Sequence, residues 1–586
     1  MNARPRPLLV AALTAALLSA PAPREARAAE AEPAAAPAPP VGGQDAPPAP
    51  IPPPLPPPGS ILPPLGPGDD PLDLLWAHRL NFAAGGAPLV TIRLLEGQDR
   101  VEFRPRDHAS LAVRGGSPLH LAAGHRFEVR VVEALPAAVV HHPLLGEVAL
   151  GDRAGLERAR ALWASRGVKL RERLVGSVFG IAGRVIDNRR TLLLAEGDGS
   201  ERWAREFAER AFAEQGVRPA ILDDVVTRPS GTLEVLDEAG QRLALADQLV
   251  ELEVEGDRGF VLSRVEQERG KGPGREDRAY RGRLFVTVDA SGRLAAVHGV
   301  ALEELLRGLV PSEMPAGSPL EALKAQAVTA RSNVLAQIGT RHLTDPWVLC
   351  SEVHCQAYRG EAAQTARTDE AVRATHGEAL FGRADRALVD AVYSAVCGGH
   401  GEDNDAVWGN LPSASLRGRP DLPAAEADRW RGGLRDEARL RAFLDGAPRG
   451  WCARARGISQ KRYRWERRFT RAELDRLAAP LGVGPVRALE VGARGVSGRA
   501  LSLRIEGERG AATVQGELKI RRLLGNLMSA MFTVGWSGGE WVFRGGGWGH
   551  GAGMCQWGAV GRAEAGQGYR EILRAYYSGA EVARIY

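Results

Sequence analysis

The chain has little cysteine, no excess of either charge and only one extended apolar run. Past the stretch from Leu8 to Ala20 nothing approaches the roughly 18 uninterrupted apolar residues of a membrane-crossing helix. Lysine and arginine number 76 against 71 aspartates and glutamates, a net charge of +5 that is too small to point to nucleic acid. Five cysteines, an odd number, leave at least one unpaired in any disulfide scheme. Several motifs are missing too. Without His-Glu-x-x-His the chain is not a zincin-type metalloprotease, and no Gly-x-Ser-x-Gly elbow frames Ser394 as a hydrolase nucleophile. The glycine-rich run near the C-terminus lacks Gly-Lys-Ser/Thr and dinucleotide spacing, which excludes a phosphate cradle. There is no internal repeat of fixed period.

What is present divides the 586 residues into several parts. Arg4 and Arg6 precede the apolar run, and Ala26-Arg-Ala28 offers a small-residue cleavage site, so residues 1–28 read as a secretory signal. The expected mature chain is exported, with no transmembrane span. Residues 29–72 form a proline- and alanine-rich linker, since residues 31–70 hold 16 of the 39 prolines. Alternating runs such as Val90–Leu94 and Arg126–Val132 predict a β-rich module over 75–150. Helix-like stretches at 155–166 and 201–215, with strands near 175–181 and 191–195, predict an α+β module over 151–222. Its element order resembles the small glycan-binding module called SPOR. A β-rich segment follows over 228–279. The fold class expected is α+β and multidomain, with a β-rich N-terminal region and a mixed α/β C-terminal domain over 280–586.

Four islands in that last half can carry chemistry. In Val310-Pro-Ser-Glu-Met-Pro315 the carboxylate of Glu313 stands between two prolines, which restrict the backbone and predict that a stiff turn before the next helix delivers it. Ser318-Pro319-Leu320-Glu321 reads as an N-cap, a first-turn proline and a capping-box glutamate. The helix that follows has an apolar stripe at Leu320, Leu323, Ala327, Ala330, Val334 and Ile338. Gln326 and Arg331 lie beside that stripe and either face a cleft or solvate the helix. In the second island, His342, Cys350, His354 and Cys355 offer two imidazoles and two thiols within 14 residues. That donor set suits a tetrahedral zinc, and a Cys350–Cys355 disulfide is the competing reading. In the third, an apolar strand over 388–396 bearing Tyr393 and Ser394 ends in Cys397-Gly-Gly-His400. In the fourth, Gly545–Gly558 interleaves glycines with Trp548, His550, Gln556 and Trp557. Aromatic faces beside amide and imidazole donors suit a sugar ring.

Together these islands resemble the stage II sporulation protein D domain, shared with the amidase-enhancer proteins of bacterial cell walls. The resemblance rests on Val-Pro-Ser-Glu-Met-Pro, Leu323–Arg331, Cys-x4-Cys-Gln-x-Tyr, Cys397-Gly-Gly and Gly-Trp-Gly-His-Gly-Ala-Gly-Met-x-Gln-Trp-Gly-Ala. It implies lytic transglycosylase activity on peptidoglycan strands stripped of stem peptides, with Glu313 as the catalytic acid. Gln326, Arg331, Tyr393, Ser394, Trp548, His550 and Gln556 are the expected substrate-binding residues. The resemblance also implies a structural zinc at His342, Cys350, His354 and Cys355, not required for the chemistry. A cell-wall amidase is a further expected partner, and a non-catalytic glycan-binding enhancer is the alternative function. Two departures stand out: Arg331-Ser-Asn replaces the more usual Arg-Thr-Tyr, and Cys555 stands where a serine is common.

Overall fold

The computed structural model describes residues 70–586 apart from 83–87, 182, 216–218, 267–273 and 353. The expected signal and the linker up to residue 69 lie outside the described residues. The linker's last residues are already ordered: Pro71–Trp76 is helical, with the Asp70 carboxylate accepting from Leu72 N–H at 3.0 Å. The molecule is α+β, with strands dominating the first half and helices concentrated in the second.

The largest sheet joins segments that the sequence reading keeps apart. Its central strands run Pro88–Gln98, Leu294–Ala301, Arg283–Val288, Leu249–Val254 and Ala109–Val113, all antiparallel neighbours. The two-residue strand Leu349–Cys350 pairs parallel with Pro88–Gln98. Boundaries drawn at 150, 228 and 280 therefore cut through one sheet. Antiparallel neighbours need not be consecutive in sequence, and their alternation carries no record of which partner they take. A second, six-stranded sheet draws in the same way on residues 100–135 and 230–280.

Between these lies a βαββαβ unit. Ala138–Ala149, Leu170–Val175, Arg190–Ala195 and Ala220–Thr227 form an antiparallel sheet whose spatial order is fourth, first, third, second. Helices Arg153–Ser165 and Glu201–Gln215 make its crossovers.

Three helices position the site: α1, Leu302–Glu313; α2, Leu320–Gln337; and α3, Gln556–Glu564. Two expectations about them change. Glu313 is not in an isolated turn but is the last residue of α1, which accommodates Pro311 in its final turn. Met314 N–H still bonds Val310 O at 3.0 Å, and Met314 then turns extended, the conformation required before Pro315. The α2 cap falls one residue late: Pro319 occupies the cap without a side-chain bond, and Glu321 accepts instead from Tyr569 N–H and Lys324.

The α2 stripe also understates its burial, because α2 is buried on every face from Ala325 to Gln337. Most of its polar side chains find partners within the protein. Ser332 Oγ accepts from Leu380 N–H at 2.9 Å, Asn333 donates to Asp390 at 2.6 Å, and Gln337 donates to Asn333 at 2.7 Å. A buried polar face of this kind is stable only when its groups find partners.

Candidate active site

Glu313 ends α1 inside a cage of uncharged donors. Its Oε1 accepts the Ala357 backbone N–H at 2.7 Å. The Gln556 amide, first residue of α3, reaches Glu313 Oε2 at 3.4 Å, Glu313 O at 3.2 Å and Gln326 Oε1 at 3.4 Å. The Tyr393 hydroxyl also faces the carboxylate. Desolvation raises the Glu313 pKa above the ordinary carboxylate value, and the bonds from Ala357, Gln556 and Tyr393 oppose that rise. Among the described residues no cation is found acting on it. An acid so placed holds its proton to a higher pH than a surface glutamate does.

A polar scaffold supports the cage. The Tyr393 hydroxyl donates to Gln356 Oε1 at 3.0 Å, and Gln356 donates to Asn333 Oδ1 at 2.9 Å. Gln326 is fully buried, and its Nε2 has no hydrogen-bond partner among the described residues. Gln356 and Asn333 were not anticipated as site residues. Gln356 lay within the Cys-Gln-x-Tyr pattern, but only the fold shows that it links α2 to Tyr393.

The other expected site residues divide. Arg331 is placed in the core: its guanidinium grips Glu303 at 2.7 and 2.8 Å and bonds Glu378 O at 2.9 Å, with Tyr586 on the same carboxylate. Ser394 is buried and accepts from Gly551 N–H at 3.2 Å. The run over 388–396 pairs as a strand only at Tyr393–Ser394, parallel to Met554–Cys555. His550 clamps that junction, its Nδ1 accepting from Ala552 N–H at 3.1 Å and its Nε2 therefore donating to Tyr393 O at 2.8 Å. Desolvation, with Arg499 nearby, pulls the imidazole down to about 3, so it stays neutral. Trp548 is 38% exposed under the Arg462 guanidinium, 4.4 Å from its ring. Trp408, which follows the third island in sequence, is 46% exposed and packs 4.9 Å from the His550 ring.

His342, Cys350, His354 and Cys355 come together as expected, their donor atoms all within 4.8 Å of one another. His342 Nε2 is 3.2 Å from Cys355 Sγ, and His354 Nδ1 is 3.6 Å from both sulfurs. Both cysteines are free thiols. Bonds of about 2.3 Å to sulfur and about 2.0 Å to nitrogen give tetrahedral edges of roughly 3.5 Å, so the donors fit zinc. Asp345 holds the other His342 nitrogen at 2.9 Å, as a carboxylate commonly does behind a ligating histidine. Gln356 and Ala357, which build the Glu313 cage, follow Cys355 directly.

Parts of the chain are similar to known proteins. Residues 290–381, which contain Glu313 and the His/Cys cluster, match the family described as Stage II sporulation protein; residues 402–553 match the Domain of unknown function (DUF8618). An uncharacterized protein of Brachyspira hyodysenteriae is 25% identical over 291 residues, 49% of this chain and 68% of that protein. The amidase enhancer of Bacillus subtilis is 28% identical over 290 residues, 47% of this chain but only 39% of the enhancer. Stage II sporulation protein D of Bacillus subtilis is 26% identical over 306 residues, 49% of this chain and 76% of that protein. Residues 290–381, the stretch that holds Glu313 and the His/Cys cluster, thus carry a domain of the stage II sporulation protein family.

Proposed function

We propose that this chain is an exported peptidoglycan lytic transglycosylase that cleaves denuded glycan strands and leaves 1,6-anhydro-N-acetylmuramic acid ends. One observation carries the reading: Glu313 is a carboxyl whose pKa is raised and whose cage consists of an amide, a backbone N–H and a phenol, with no carboxylate among the groups that act on it. Hydrolytic glycosidases generally need two carboxyls, one to protonate the leaving oxygen and one as nucleophile or base. A lytic reaction needs one, because the C6 hydroxyl of the muramic acid attacks its own anomeric carbon. Holding both reacting groups in one molecule gives a high effective concentration.

Glu313 enters protonated and donates to the glycosidic oxygen as the C1–O bond breaks. The C6 hydroxyl forms the new bond to C1, and the carboxylate takes its proton, so the acid ends as it began. Gln556 and Ala357 hold the carboxyl in place through the cycle, and Tyr393 screens it from water. Trp408 and Trp548 offer exposed aromatic faces for sugar rings. The βαββαβ unit over 138–227 has the element order of a small glycan-binding module and would add grip on the strand. Zinc at His342, Cys350, His354 and Cys355 would be structural, since four protein ligands leave no open position.

The relative named amidase enhancer supports a second reading, in which the chain binds glycan and stimulates a cell-wall amidase without cleaving. Incubating the purified chain with denuded glycan and weighing the products separates them. Lytic cleavage gives ends one water lighter than hydrolysis does; binding without new ends supports the enhancer.

A further inference from the structure

A second group of metal-type donors lies in the core. The Cys397, Cys452 and Cys555 sulfurs and an Asp421 oxygen all fall within 4.8 Å of one another, and all four residues are buried. They come from four separate places: the turn after the Tyr393–Ser394 strand, a loop, the short helix Trp451–Arg454, and the residue that caps α3. All three cysteines are free thiols.

We propose that Cys397, Asp421, Cys452 and Cys555 bind a second metal ion, zinc, in a closed structural site that fixes α3 and the Tyr393 strand around Glu313. Spacing supports it. Cys397 Sγ lies 3.8 Å from Cys452 Sγ and 3.3 Å from Asp421 Oδ2. A tetrahedron with zinc–sulfur bonds of about 2.3 Å has sulfur–sulfur edges of about 3.8 Å, and replacing one sulfur by a carboxylate oxygen shortens its edges to about 3.5 Å.

Backbone N–H groups point at two of the sulfurs. Cys555 Sγ accepts backbone N–H groups from Cys397 at 3.1 Å and Gly558 at 3.2 Å, and Cys397 Sγ accepts from Gly399 at 3.4 Å. The Cys397-Gly-Gly turn makes the last bond possible. Gly398 and Gly399 have φ of +75° and +93°, and a Cβ on Gly398 would stand 2.9 Å from the Gly546 backbone. Behind the donors, Arg562 pairs with Asp421 Oδ1 at 2.8 Å, leaving Oδ2, to which Tyr576 donates at 3.0 Å, facing the sulfurs. Arg562 offsets part of the negative charge that three thiolates and a carboxylate carry beyond a divalent ion. Gly558 admits this second layer, since a Cβ there would meet Tyr576 Oη at 2.1 Å. Binding displaces the thiol protons to solvent and involves no oxidation or reduction.

The site has a direct structural consequence. Cys555 caps α3, and the next residue, Gln556, holds Glu313. Cys397 follows the strand that carries Tyr393. One ion would thereby tie both to the loop at Asp421 and the helix at Cys452.

Metal counting on the full chain, purified without chelator, tests this. Elemental analysis should find two zinc ions per chain in the native protein, one in C452S, one in C350S and none in the double variant. Once metal is removed in denaturant without reductant, all five cysteines should react with iodoacetamide. At most one zinc per chain, unchanged by C452S, would overturn the proposal. So would two thiols that react only after reduction, the mark of a disulfide. If C452S fails to fold, C350S leaves the second site alone in a native setting: one zinc supports it and none overturns it. None of these readouts depends on glycan cleavage.

Discussion

The two cysteine clusters differ in almost every respect except that each gathers four metal-type donors. The first is built from 14 consecutive residues, mixes imidazole with thiol, and lies partly exposed beside the large sheet. The second draws on residues from 397 to 555, has no histidine, and is closed off in the core. Yet each contains a Cys-Gln step, Cys355-Gln356 and Cys555-Gln556, and both glutamines belong to the hydrogen-bond network around Glu313. The acid is thus gripped from two sides, by a clamp local in sequence and a clamp made only by folding. Precision at a site needs the groups behind it to be fixed, and here two independent clusters provide that.

The largest expected effect is on what the clamps grip. Glu313→Gln removes the transferable proton and should lower release of anhydro ends by at least about 100-fold, within the range usual for general acids; product masses on denuded glycan check it. Retained cleavage would mean that the clamps serve binding alone.

Next comes the ion pair in the core beside them. Arg331→Ala strands Glu303 without its cation and should destabilise the fold by about 3–5 kcal/mol, read as a denaturation midpoint shift. If glycan affinity fell while stability held, Arg331 would belong to the cleft.

The comparison between clusters is sharpened by pairing variants. Cys452→Ser should lower the melting temperature more than Cys350→Ser does, by a few degrees, because the interior site cannot hydrate the groups left behind. Equal losses would show that burial does not distinguish them.

The smallest effect is on pH. In the proposed reaction cleavage requires protonated Glu313, so it should fall as pH rises through the raised pKa. Gln556→Ala removes a bond that favours the carboxylate and should move that limb to higher pH. Stability follows the same sign: with the folded value above the unfolded one, stability is lost as pH rises between them, and Glu313→Gln abolishes that slope. A limb that moved to lower pH would assign Gln556 another role.

Much of the site was readable because its parts are local. Glu313, the first cluster and the glycine-rich run are short motifs whose residue types state their chemistry. The second cluster was not readable, because Cys397, Asp421, Cys452 and Cys555 have no spacing that links them. The α2 helix misled for a different reason. Its polar face reads as lining a cleft or solvated, but Arg331, Ser332 and Asn333 find partners on other elements, which periodicity does not record. The strands were visible one by one, while their pairing into a shared sheet was decided by long-range contacts.

That sheet bears on how the accessory half is attached. Arg283–Val288 and Leu294–Ala301 are flanked by Leu249–Val254 on one side and Pro88–Gln98 on the other. A polypeptide beginning at residue 280 would keep the two inner ribbons and lose both neighbours, baring apolar strand margins that recruit other chains. The extra half is woven in rather than hung on, so shortening the protein at that point would leave a remnant prone to self-association.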